Sequence, residues 1–153
     1  YGGNIRAFMG KGDPIASSKD REAVFFKKFA HMVENIQEWQ SQAKIWIEAY
    51  VANNGKIRAK AFPGRAAIMI KMLELSEAHI SAVYEITGSI KIHHFVPGTR
   101  IPILPESDLY ALEDQNQPIL NLAWHLPTEV RNNLLKNGYS GKVYDIKTFQ
   151  GEG

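Results

Sequence analysis

Cysteine is absent from all 153 residues, which removes disulfides, thiolate nucleophiles, thiolate-ligated zinc and iron–sulfur clusters together. Chemistry in this chain therefore rests on oxygen, imidazole, amine and guanidinium groups. No apolar run approaches the roughly 20 residues that a membrane span needs, and the first residues lack the charged, apolar and small-residue succession of a secretory signal. A cytoplasmic protein with no membrane partner is expected. An excess of one charge is missing too: 18 basic against 16 acidic residues give a formal net charge of +2, so nucleic acid is not expected as a partner. The three-glycine dinucleotide pattern, the P-loop Gly-Lys-Ser/Thr and the nucleophile elbow Gly-x-Ser-x-Gly do not occur. With no Ser/His/Asp set and no carboxylate dyad either, no catalytic residue is assigned, and a nicotinamide-dependent enzyme is disfavoured.

Histidine raises the question of a metal and answers it negatively. His93 and His94 are adjacent, and in an extended segment they point to opposite sides without carboxylates at ligand spacing. No metal site is expected. His31 and His79 read as helix-surface residues, whereas His125 closes an apolar strand and is a binding candidate.

What is present is the composition of a globular domain, with 44% hydrophobic and 22% charged residues, in a length suited to one core. Tyr1-Gly2-Gly3 leads without an initiator methionine into a strand at 4–9, and the chain reads as one domain, 1–153, cut from a larger protein. A turn-rich loop at 10–20 ends at Asp20, a helix N-cap candidate. Phe25, Phe29, Met32, Ile36, Trp39, Ala43, Trp46 and Tyr50 then recur at steps of four and three, the stripe of an amphipathic helix over about 20–53. Such a helix is roughly 50 Å long. Asn53-Asn54-Gly55 ends it. The stripe is core packing in one reading and a docking or self-association surface in the other.

From 56 to 146 strands alternate with helices: strands at 56–62, 80–86, 118–124 and 142–146, helices at 64–79, 106–112 and 126–138, and a Gly- and Pro-punctuated excursion at 88–104 that ends in a short strand. This is an α/β pattern, a Rossmann-like open and mostly parallel sheet flanked by helices, preceded by the long amphipathic helix. In such sheets ligands sit at the carboxyl ends of strands. Phe62-Pro63-Gly64-Arg65-Ala66-Ala67 occupies that kind of position: Pro63 fixes the turn, Gly64 permits close approach, Arg65 offers a fork to phosphate or carboxylate, and Ala66 leaves room. A plain strand-to-helix turn with a solvated arginine is the bland alternative. Glu85 ends the next strand, where an acid accepts hydrogen bonds from sugar hydroxyls in many nucleotide folds. Thr99 and Arg100 leave the Pro97-Gly98 turn and suit either a polar ligand or a surface loop.

The ordered segments YGGNIRAF, AFPGRAA, AVYE, FVPGTRIPILPE, LNLAWH and SGKVYDI are similar to the C-terminal domain of the S-adenosylmethionine-dependent sugar C-methyltransferases. The resemblance covers nearly the whole chain, and PGTRIPILPE is its most specific part. It implies a substrate-binding domain for a nucleotide-linked sugar, with Pro63, Gly64, Arg65, Thr99, Arg100, Trp124 and His125 on ligand-facing loops. It further implies that upstream domains of the same polypeptide carry the zinc, the methyl donor and the catalytic base, so that this chain binds no cofactor. Three departures stand out: Ala66 replaces a glycine, Ile68-Met69-Ile70-Lys71 replaces a Thr-Leu-Leu-Asn helix start, and Trp124-His125 replaces Trp-Asn.

Overall fold

A computed structural model describes residues 10–12, 19–149 and 151–152; the strand expected at 4–9 and most of the following loop lie outside them. Residues 1–38 and 39–153 form two separately compact units. Helix α1 (Lys19–Asn54) contributes to both and begins one residue earlier than the sequence predicts. In the first unit Phe25, Phe26, Phe29, Met32 and Ile36 are exposed. In the second unit the stripe behaves as core: Ala43 and Ile47 are buried and Trp39, Trp46 and Tyr50 pack beside them. Gly55, at φ 78°, donates its N–H to the Val51 carbonyl at 2.9 Å. That closes the helix in the left-handed conformation that glycine adopts without cost.

The second unit continues through β1 (Ile57–Lys60), α2 (Ala66–Met72), β2 (Ile80–Glu85), β3 (Ile103–Pro105), α3 (Glu106–Tyr110), β4 (Ile119–Asn121), α4 (Pro127–Lys136), β5 (Val143–Asp145) and β6 (Gly151–Glu152). The sheet order is β3-β2-β1-β4-β5-β6, with the first five strands parallel and β6, which the sequence did not announce, antiparallel to β5. The Rossmann-like α/β expectation holds. Alternation along the strands separates two cores. Ile57, Ala59, Val83 and Leu120 meet α1 and α2 on one face; Ala82, Tyr84, Ile119 and Val143 meet α3 and α4 on the other.

Helix α2 is much shorter than the 64–79 expected. Leu73 and Leu75 are both buried, and two residues two apart cannot share one helix face. Glu74 turns left-handed at φ 54°, Leu75 donates to Ile70 at 3.0 Å and Glu74 to Lys71 at 3.2 Å, a Schellman closure that returns Leu75 to the core. His79 consequently sits in a turn rather than on a helix, its Nδ1 accepting the Ser76 N–H at 3.2 Å. The segment around His93 is a turn rather than extended chain, with His93 at φ 67°.

Packing is close at the amino end of β4 and β5. A Cβ on Gly141 would lie 1.9 Å from the Gln117 carbonyl oxygen and 2.8 Å from the Tyr139 ring. The Tyr139 hydroxyl donates to that same carbonyl at 2.5 Å.

Candidate functional site at the carboxyl edge

The chain builds outward from β1 to β2 and β3, then returns to place β4 on the other side of β1. The loops leaving β1 and β4 therefore diverge to opposite faces, and their carboxyl ends mark the topological position at which open α/β sheets form a ligand crevice. Residues 61–65, which follow β1, and 122–125, which follow β4, are its candidate walls.

The first wall is held by a bracket. Glu85, at the end of β2, accepts the Phe62 N–H on Oε2 at 2.9 Å and the Ile86 N–H on Oε1 at 3.2 Å. Lys91 Nζ donates to the Phe62 carbonyl at 2.5 Å and stands 3.5 Å from Glu85 Oε2. The two peptide groups that flank Phe62 are thus each held by a charged side chain. Before Phe62, Ala61 adopts φ 63°, a left-handed conformation costing an L-residue about 1–2 kcal/mol. Beyond it, the Ala66 N–H donates to the Pro63 carbonyl at 2.8 Å, and Ala66 is fully buried. The Ala66 amide is therefore engaged within the turn and not free for a ligand. Arg65 is exposed and makes no ion pair among the described residues. A Cβ on Gly64 would meet nothing within 4 Å among the described residues, so their packing does not demand glycine there.

The second wall is shaped by Asn121. This fully buried side chain accepts the Ala123 N–H at 2.9 Å and donates to Asp145 Oδ1 at 2.6 Å. Trp124 and His125 follow, their rings edge to face at 5.5 Å. Trp124 Nε1 and His125 Nδ1 are buried and have no hydrogen-bond partner among the described residues, a condition that costs free energy unless something else satisfies them. Lys147 Nζ lies 5.2 Å above the Trp124 ring.

Behind the crevice, Lys60 at the end of β1 and Glu106 at the start of α3 form an ion pair of 2.6 Å with both side chains largely buried. Tyr110, which donates to Asn133 at 2.7 Å, has its hydroxyl pushed up to about 12, first by burial and next by the Glu106 charge.

The residues chosen from sequence are divided between the two ends of the sheet. Pro63, Gly64, Arg65, Ala66, Glu85, Trp124 and His125 lie at the carboxyl edge. Thr99 and Arg100 form the tip of a hairpin, closed by Val96 N–H to Ile101 O at 2.9 Å and the Phe95–Pro102 bridge, that precedes β3 and so lies at the amino edge. There the Thr99 hydroxyl donates to Val96 O at 2.9 Å and accepts the Ile101 N–H at 3.1 Å, and Glu77 accepts the Arg100 N–H at 3.1 Å. The sequence reading missed Lys60, Asn121, Glu106, Asp145, Lys91 and Lys147. A lysine and an asparagine inside apolar strands were the available signal, because a buried polar side chain implies a partner.

Among the described residues no cluster of His, Cys, Asp or Glu could hold a metal ion, and no helix is long and apolar enough to cross a membrane. Comparison with known families gives a match over residues 2–142 to a family model described as the C-methyltransferase C-terminal domain. No curated protein matches the chain significantly.

Proposed function

The chain belongs to the C-methyltransferase C-terminal domain family, and on that premise we propose that it is the substrate-holding part of an S-adenosylmethionine-dependent enzyme that methylates carbon on a nucleotide-linked sugar. The observation that carries the reading is the pair of unpartnered ring nitrogens, Trp124 Nε1 and His125 Nδ1, buried where the sheet order reverses. A polyhydroxylated or phosphorylated ligand supplies the acceptors and donors they lack. Arg65 and Lys147 put positive charge at the rim for an anionic substrate, and the bracket around Phe62 keeps the wall from shifting when the ligand arrives.

In this reading the methyl donor, the zinc and the base that takes a proton from beside the sugar ketone belong to other domains of the same polypeptide. The chain described here binds and orients, which by itself accounts for much of the advantage of a bound reaction. Titration of the isotope-labelled chain with a nucleotide sugar, followed by amide NMR, tests the reading. Shifts are expected at Phe62, Gly64, Arg65 and 122–125. Shifts confined to the hairpin tip at 98–101 would refute it.

A second reading, docking without a ligand, is favoured by the exposed Phe25, Phe26, Phe29 and Met32 on α1, since a contiguous apolar face of this kind marks an interaction surface. Another domain of the enzyme or a second copy of the chain would cover it. Light scattering of the wild type and of Phe29→Glu measures self-association. Trp46 is unsuitable for that test because it packs into the core.

A further inference from the structure

A second recess opens at the same end of the sheet, between the second half of α1 and the chain that follows β5. Its volume is about 190 Å³, and its walls are Trp39, Gln42, Ala43, Trp46, Thr148 and Phe149. Three of the six are aromatic, with Phe149 and Trp46 meeting at 5.1 Å and 44°, and Gln42 and Thr148 add polar side chains to the lining. Trp39 Nε1 is buried and has no hydrogen-bond partner among the described residues. Aromatic walls beside a buried, unpartnered N–H fit a planar ring that carries an acceptor in its plane. The volume admits one ring rather than a whole ligand, for which pockets of roughly 300–1,000 Å³ are usual.

The recess and the crevice share one support. The Asp145 carbonyl accepts the Thr148 N–H at 3.1 Å and the Phe149 N–H at 2.7 Å, which sets the wall of the recess. The Asp145 carboxylate holds Asn121 at 2.6 Å, and Asn121 sets the Trp124–His125 wall of the crevice through Ala123. Between them Lys147 reaches the Trp124 ring. A molecule joining a planar ring to an anionic group could therefore span both, and the molecule of that chemistry is a nucleotide. We propose that this recess seats the nucleobase of the substrate, with Trp39 Nε1–H donating to a ring carbonyl or ring nitrogen and with Trp46 and Phe149 forming the apolar wall. The inference rests on the anionic-substrate reading of the crevice and adds where the other end of that substrate lies.

The chain has three tryptophans, and two of them report on the two places separately. Their indole N–H resonances are assigned with Trp39→Phe and Trp124→Phe. Uridine 5′-diphosphate is expected to move both signals, and inorganic pyrophosphate only that of Trp124. Trp39→Phe, which keeps an aromatic ring and removes the donor, is expected to weaken uridine 5′-diphosphate roughly fivefold and to leave pyrophosphate unchanged; Phe149→Leu provides a second, independent loss. If uridine 5′-diphosphate moves Trp124 alone, or if both variants bind it as the wild type does, the base seat is overturned while the anion site stands. If neither compound moves either signal, both fall together.

Discussion

The carboxylate that ends β2 holds the turn that follows β1: Glu85 Oε2 accepts the Phe62 N–H at 2.9 Å across 23 residues of sequence. Both groups are buried, so nothing else is at hand to satisfy the amide. Glu85→Ala is expected to cost about 2–3 kcal/mol, the range for a charge-assisted hydrogen bond whose loss strands its partner. Urea unfolding measures it. A loss under 0.5 kcal/mol, to within about the error of such measurements, would mean that the bracket does not hold the wall.

Lys60 and Glu106 give a sharper contrast. Removing one member of a buried pair leaves an uncompensated charge and is expected to cost about 3–5 kcal/mol, whereas replacing both by apolar side chains of similar volume is often near neutral. Lys60→Met alone should thus destabilise more than Lys60→Met with Glu106→Leu. Equal losses in single and double variants would show that the two side chains do not depend on each other.

Tyr110 predicts a dependence on alkaline pH. Its hydroxyl is raised from 10.0 to about 12 by burial and by the Glu106 charge, so folding favours the neutral phenol. The corresponding stability is complete below the ordinary phenol range and is lost as pH rises from 10 towards 12. Burial raises Tyr50, Tyr84 and Tyr139 in the same direction, and the alkaline limb is shared among them. In an ultraviolet titration Tyr110→Phe should remove the phenol that ionises near 12; an unchanged titration curve would reject the assignment.

Gly64 separates the needs of the ligand from those of the fold. No atom of the described residues obstructs a Cβ there and its φ is not left-handed, so Gly64→Ala should leave stability unchanged or raise it by up to about 1 kcal/mol through the unfolded chain. Binding of a nucleotide sugar should nonetheless weaken if the ligand approaches that backbone. Arg65→Ala should weaken it about tenfold, with a reduced dependence on salt. Calorimetric titration at two ionic strengths decides both, and undiminished affinity in both variants would remove this turn from the site.

Ala61 carries strain that glycine would not. Its φ of 63° costs about 1–2 kcal/mol, of which roughly 0.5–1 is offset by the greater freedom of glycine when unfolded. Ala61→Gly should therefore stabilise by up to about 1 kcal/mol in thermal or urea unfolding. Destabilisation would show that the Ala61 methyl, packed against the cluster on the α3 and α4 face, is worth more than the strain.

Much of this architecture could be read in advance because it rests on local patterns. The apolar runs of β1, β2, β4 and β5 and the Asn53-Asn54-Gly55 stop of α1 each declare themselves within a few residues. What stayed hidden depends on contacts between distant segments. The 64–79 stretch looks helical throughout, and only the simultaneous burial of Leu73 and Leu75 ends α2 at Met72. Lys60 meets Glu106 across 46 residues, a pairing set by the return of the chain across β1. Thr99 and Arg100 look like companions of Arg65 in a list of polar loop residues, and the direction of β3 sends them to the other end of the sheet.

The contact at Gly141 has an evolutionary corollary. A position where the smallest side chain already collides with a neighbouring peptide group tolerates no drift, so screening a randomised library for folded variants should return a single residue there. That intolerance lies at the end of the strands away from the crevice. A rigid floor at one end leaves the loops at the opposite rim free to diversify, which is the arrangement a lineage needs to change what it binds while keeping what it is.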